Sequence, residues 1–504
     1  MAECPWVRRA SRLSARSLWK LVPLVLALLV ACSGDDFQGG GGEAGQAGES
    51  TTGAGATGGS AGRPPVMNEG GEAGDDTPSR GGSAGTGGAS AGAGQSGASG
   101  GSNSGGTSPS GGTSGNGAAG GGAGGSSGAG SGGTTAGSSG TAGTPNTDGQ
   151  IFFQQDRLHV VDITVEASHL DQLDTDLDNR VPCTITYDGE TIANAGIRKK
   201  GQSTLQSLAE KPSFSVKLDE FEQGADIDGV QKFQLNNSVK DASYLAEPVA
   251  YLTYLRAGVP APRTALAVVR FNGETKGIYV VVEGVNKRFL RHAYGDGNGN
   301  LYEGPWDFTA DVADADLKDI EDGRTREDLQ AFSDAVMGAS DEQLLAAIEP
   351  HLDIDEMYTT IAIEMALCLW DGYTIAAWNF YFYHVPGGRF VMLPHGADWP
   401  YYVDNVDPFN PDFRPWGDGS PPGLLAVRMV DADRARYTLA LERVRDHAFD
   451  LDVLNDLIDT LEDVVHTADT SDPVLASAVS AFDAEVSTPR EFLASRRAFL
   501  STAF

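Results

Sequence analysis

Ala265-Leu-Ala-Val-Val-Arg-Phe-Asn-Gly-Glu-Thr-Lys-Gly-Ile-Tyr-Val-Val-Val-Glu283 decides how this 504-residue chain folds. Two apolar, β-branched runs, Ala265–Phe271 and Gly277–Glu283, flank Asn272-Gly273, a dipeptide suited to a tight hairpin because both residues tolerate positive φ. Upstream the chain stays strand-like: His159–Val165, Val181–Tyr187 and Thr191–Lys199 alternate apolar and polar residues, and Ser213–Leu218 is a further short strand. One helix interrupts them, Ser243–Ala257, with Leu245, Val249, Leu252 and Leu255 at helical spacing before Gly258 and Pro260. Downstream the helical period takes over in Asp328–Met337, Asp341–Ile348 and Ile354–Leu369. A strand pair, Phe380–His384 and Arg389–Leu393, is joined by Pro386-Gly-Gly388, and Leu424–Phe504 is mostly amphipathic helix. Strands first and helices second predict an α+β domain over residues 150–504, with a strand-rich lobe to about 284 and a helical lobe from about 285.

Before residue 149 the composition is different in kind. Residues 32–149 are Gly, Ser, Ala and Thr almost throughout, with no apolar period, so they cannot bury enough surface to offset ordering entropy. The expectation is a disordered tether with a root-mean-square span of about 60 Å if it behaves as a flexible coil. Ahead of it, Arg8, Arg9, Arg12, Arg16 and Lys20 precede the apolar stretch Leu21–Val30, the pattern of a secretory signal too short to span a bilayer. Leu29-Val-Ala-Cys32 matches a bacterial lipobox. Residues 1–31 are therefore expected to be removed and Cys32 acylated, anchoring the protein to a membrane of the cell envelope, at the outer membrane or cell surface.

The formal net charge is −33; seven Lys/Arg against ten Asp/Glu in residues 1–150 leave −30 for the remainder. So acidic a domain repels nucleic acid and anionic headgroups and favours basic partners and divalent cations. Four cysteines, Cys4, Cys32, Cys183 and Cys368, are too few for a disulfide scaffold, and Cys183 and Cys368 read as buried thiols.

The folded part carries no Gly-Lys-Ser/Thr phosphate loop, no His-Glu-x-x-His, no Gly-x-Ser-x-Gly and no Cys-x-x-Cys. It does carry Leu369-Trp-Asp-Gly-Tyr373, Trp378-Asn-Phe-Tyr-Phe-Tyr383 and Leu393-Pro-His-Gly-Ala-Asp-Trp399. The order is helix, Asp371, loop, Asn379, hairpin, Asp398. Phosphoryl transfer asks for such a set: a carboxylate near the attacking hydroxyl, and hard oxygen ligands for a cation that bridges phosphates.

Ile197-Arg-Lys-Lys-Gly-Gln-Ser-Thr204, followed by Lys211-Pro-Ser-Phe-Ser-Val-Lys217, resembles the paired R-x-x-G-x-S and K-x-x-[FY]-x-[VIL]-K signature of the spore coat protein H (CotH) kinase family. Asp241–Leu245, Gly258–Arg263, Asn272-Gly273, Gly277–Glu283, Gly299–Glu303 and the 371/379/398 region continue it in order. The resemblance implies a divergent, two-lobed protein-kinase-like fold that uses ATP and Mg²⁺ (or Mn²⁺) to phosphorylate Ser residues of protein substrates, Ser-rich and basic ones by charge. Carried over, Lys211 would hold nucleotide phosphate, with Lys217 as second choice. Ser203 would lie in a phosphate-facing turn, and Glu283 would meet the ribose or adenine side. Asp371 would orient or deprotonate the acceptor hydroxyl, and Asn379 and Asp398 would hold the metal. Glu247 could pair with the lysine. Two departures stand out: Leu205 replaces a common basic residue, and Asp398-Trp-Pro400 lacks a second Asp. They leave open a degenerate member acting as a surface binding or adhesion lipoprotein.

Overall fold

The computed structural model describes residues 148–304, 307–308, 312, 316–318, 325–399, 405–412 and 423–504. The expected signal segment, Cys32 and the tether as far as residue 147 lie outside the described residues.

Seven strands, β1 (His159–Thr164), β2 (Val181–Tyr187), β3 (Glu190–Lys200), β4 (Ser213–Lys217), β5 (Lys232–Asn236), β6 (Thr264–Phe271) and β7 (Glu274–Glu283), close into a barrel in the order β1-β2-β3-β4-β5-β7-β6. Closure comes from β1, which pairs parallel with β6, Val161 opposite Val269, while the other neighbours run antiparallel. The period of two sends Ile163, Ile185, Ile197, Phe214, Phe233 and Val281 inward, where each is worth about 1.5–3 kcal/mol of burial. Phe152, stacked on Tyr187 at 3.8 Å, packs into the same core. β6 and β7 are apolar on both faces because their outer residues, Leu266, Val268, Ile278 and Val280, pack against the helical core. The turn joining them is Asn272-Gly273 itself, at φ of +49° and +81°, with Phe271 opposite Glu274.

The mixed α+β class holds, but a closed seven-stranded barrel is not the strand lobe expected of a protein-kinase-like fold. The strand periods are local; the β1–β6 pairing that closes the barrel joins residues far apart in the chain. β5, Lys-Phe-Gln-Leu-Asn, also falls outside the expected strands, though its Phe233 and Leu235 point into the core.

The helices are α1 (Leu170–Thr175), α2 (Ala246–Arg256), α3 (Lys287–Tyr294), α4 (Glu327–Gly338), α5 (Leu344–Ile348), α6 (Ile354–Leu367), α7 (Tyr373–Ala376), α8 (Leu424–Ala432), α9 (Arg434–Arg443), α10 (Leu451–Val465), α11 (Pro473–Glu485) and α12 (Ser487–Ala503). Asp353, Asp433, Asp450 and Asp472 each accept a first-turn amide at a helix start, so part of the acidic composition is capping, worth about 1 kcal/mol apiece. α6 is buried along nearly its whole length, and a small sheet, β11 (Phe390–Pro394), β10 (Phe380–His384), β8 (Leu301–Glu303) and β9 (Asp316–Leu317) in that order, packs beside it. Cys183 and Cys368 are both buried, in different hydrophobic cores, as expected of two core thiols. Among the described residues no helix is long and apolar enough to cross a membrane.

Candidate active site

α6 stops at Cys368, which takes the left-handed conformation at φ +53° and turns the chain into Leu369-Trp370-Asp371. Glu364, one turn back in α6, fixes the bend: its carboxylate accepts the amides of Tyr373 (3.2 Å) and Thr374 (2.6 Å) at the start of α7. A β-carbon at Gly372 would sit 2.7 Å from that carboxylate, so the close approach requires glycine. Asp371 is left half-buried at the tip of the bend.

Ala377 and Asn379, at φ of +55° and +47°, continue the strained run into β10. Asn accepts this region more readily than Ala. Gly396, just past β11 and at φ +58°, makes room for the carboxamide; a β-carbon there would lie 3.0 Å from Asn379 Cγ. Asp398 follows two residues later.

Asp371, Asn379 and Asp398 line one open cleft of about 100 Å³. Opposite them stand Lys200 at the end of β3, the turn Gly201–Thr204, Ser213 of β4 and Asn236 of β5. Gly201, at φ +112°, is needed there because a β-carbon would meet Thr204 Oγ1 at 2.7 Å. Lys200 Nζ donates to Gln234 Oε1 (2.5 Å) and Asn236 Oδ1 (3.1 Å). Asn236 Nδ2 in turn donates to both carboxylate oxygens of Glu247, in the first turn of α2, at 2.9 Å each. Glu303 adds a further acid to the wall, paired with Lys318 at 2.9 Å and facing His395 at 3.6 Å.

The electrostatics follow from this crowding. Burial, then the charge of Asp398, pushes Glu247 up to about 8. Burial also raises Asp398, against the pull of Lys200 and Lys240. Asp241, behind them, is raised by burial although it accepts the amides of Ser243 and Ala246. Carboxylates outnumber cations here, a surplus that a bound cation would offset. Among the described residues no group of three or more His, Cys, Asp or Glu is placed to hold a metal; the oxygen donors lining this wall are the carboxylates of Asp371, Asp398 and Glu303 and the carboxamide of Asn379.

Four of the expected site residues, Asp371, Asn379, Asp398 and Ser203, meet in this cleft. Lys211, Lys217 and Glu283 do not line it. Lys211 lies between the rings of Tyr244 and Tyr279, 5.0 Å from each centroid, and burial pushes its amine down to about 7. Lys217 stands opposite Gly196 at the far end of β4 and pairs with Glu220 at 3.3 Å, whereas the cleft end of that ladder pairs Lys200 with Ser213. Glu283 is gripped by Arg263 through two hydrogen bonds of 2.6 and 2.8 Å in a separate pocket beside α3. Lys200, Asn236, Glu303 and Glu364 were not expected at the site. Lys200 had a signal, since it adjoins Gly201 and alternates with the inward Ile197; Glu364 acts on amides nine and ten residues ahead and had none.

The CotH kinase protein family matches residues 197–500, from within β3 to the last helix. A comparison with curated proteins returns no match. With well over half of its length matched, and with the ordered motifs converging on one cleft, this chain belongs to the CotH kinase protein family.

Proposed function

We propose that the domain transfers the γ-phosphoryl group of ATP to serine hydroxyls of a protein, on a divergent two-lobed kinase-like frame. The observation that carries this reading is the convergence of Asp371, Asn379 and Asp398 on one cleft, facing Lys200 and the Gly201–Thr204 turn. Lys200, held by Gln234 and Asn236, offers its ammonium to phosphate oxygens, taking the part the sequence suggested for Lys211. Gly201 lets the backbone come close to phosphate, and the hydroxyls of Ser203 and Thr204 add donors. Asp371 accepts the proton of the acceptor hydroxyl as its oxygen bonds to phosphorus and the bridging β–γ bond breaks, leaving ADP. A divalent cation, when bound, would neutralise charge across the phosphate oxygens, and the hard oxygens of Asn379 and Asp398 fit Mg²⁺ or Mn²⁺. Glu247, tied to Lys200 through Asn236, sets the lysine's position.

Residues after 150 carry a net −30, which favours a basic, Ser-rich substrate and disfavours nucleic acid. The full chain should incorporate ³²P from γ-labelled ATP into such a substrate, or into itself, only with Mg²⁺ or Mn²⁺. Asp371→Asn and Asp398→Ala should each lower the rate by at least about 10³-fold. Incorporation that survives both changes contradicts the reading. Nucleotide and metal binding without transfer would instead favour a binding module, in line with Pro400 standing where a second metal-site acid is common.

Cys32 acylation, by the same proposal, tethers the domain to a membrane of the cell envelope. Cys32→Ser should move the protein from the membrane to the soluble fraction, and unchanged fractionation would reject the anchor.

A further inference from the structure

Arg496, in the middle of α12, is completely buried. Its guanidinium donates to three backbone carbonyls: Nε to Ala366 O (3.0 Å), Nη2 to Met365 O (2.6 Å) and Nη1 to Val406 O (2.7 Å). The first two are carbonyls of the last turn of α6, which intrahelical hydrogen bonds leave open and whose dipole favours a cation. Asp371 follows that turn by five residues. Val406 lies eight residues after Asp398 in the chain and is itself buried. One planar fork therefore ties the last turn of α6, which leads to Asp371, to the chain beyond Asp398, without lining the cleft.

We propose that Arg496 is a positioning residue that sets the spacing between Asp371 and Asp398, and through it the affinity of the site for a divalent cation. The fixed geometry of a guanidinium suits this task; a lysine ammonium keeps the charge but not the fork. The functional half of the inference rests on the proposed phosphoryl-transfer reading, whereas the structural half stands alone.

Hydrogen–deuterium exchange on the full-length protein tests both halves, with Mn²⁺ plus ATP as probe. Arg496→Lys should speed exchange selectively in peptides covering 365–373 and 405–412, leave the barrel strands unchanged, and weaken Mn²⁺ binding about 10–100-fold, as loss of a supporting partner typically does. Nucleotide affinity measured without metal should stay near wild type. Faster exchange spread evenly over the domain, or confined to α12 with Mn²⁺ affinity unchanged, overturns the inference. If Arg496→Lys does not fold, wild type alone decides: Mn²⁺–ATP should slow exchange around residue 496 as well as at the cleft, and protection limited to the cleft counts against the coupling. Wild type that binds no Mn²⁺ refutes the proposed function, and the exchange pattern of Arg496→Lys then still decides the clamp.

Discussion

Two charged pockets of this domain are built on opposite rules. Beside α3, Arg263 pairs with Glu283 at 2.6 Å, Arg288 with Asp226 at 3.5 Å and His292 with Asp148 at 3.4 Å. Both arginines there meet a carboxylate, and His292 faces a third. At the cleft, Asp371 and Asp398 share the lining with Lys200, and Glu303 is paired with Lys318, while buried Glu247 and half-buried Asp241 are both held above the usual carboxylate range. Left-handed Cys368, Ala377 and Asn379 cluster on the same side. Like charges and strained backbone each oppose folding, and their coincidence is what sets the cleft apart from the pocket beside α3. Charge alone does not separate the two pockets; unbalanced charge on strained supports does.

The two lysines of the barrel's cleft end sharpen that contrast most. Lys200→Met should lower kcat/KM by about 10²–10³-fold, the usual cost of losing one group that stabilises developing charge. Transfer at the wild-type rate would break the distinction between Lys200 and the residues outside the cleft.

A smaller effect is expected at Lys211, whose change is one of stability. Its amine, buried between Tyr244 and Tyr279, titrates at about 7 in the fold and near the ordinary lysine value when unfolded. The unfolded chain therefore holds the proton more tightly between pH 7 and 10, so stability from this group is present above that window and is lost as pH falls through 7. Denaturant titrations at pH 7 and 9 should show stability rising by up to about 1.4 kcal/mol per unit, and Lys211→Met should remove the rise while leaving transfer near wild type. A slope that persists in Lys211→Met would place the titrating group elsewhere.

Much of this was legible in the chain itself. The barrel strands follow a period of two, and the 265–283 hairpin was readable to its turn, because both signals are local. Asp371, Asn379 and Asp398 were readable for a related reason: a helix end, a strand start and a hairpin exit each left a residue pattern within a few positions. Closure of the barrel was not readable, since β1 finds β6 across most of the strand half. The place of Lys211 was not readable either, because Tyr244 and Tyr279 come from other elements; its position before β4 suggested a phosphate ligand, and two rings brought in by the fold hold it outside the cleft lining. The place of Glu283 was hidden in the same way, for its partner Arg263 lies across the hairpin, in the loop before β6. Residues whose place depends on nearby chain could be located from the sequence, and those whose place depends on a distant partner could not.

Thermal unfolding with Mg²⁺ and a non-hydrolysable ATP analogue at about 100 times Kd tests the difference between the two pockets directly. Wild type and Glu283→Gln should both gain about 2.7 kcal/mol, a rise of roughly 3–4 °C, while Asp398→Ala should gain nothing from the same addition. An equal rise in Asp398→Ala, or a rise lost only in Glu283→Gln, would contradict the assignment of the metal–nucleotide site to the cleft.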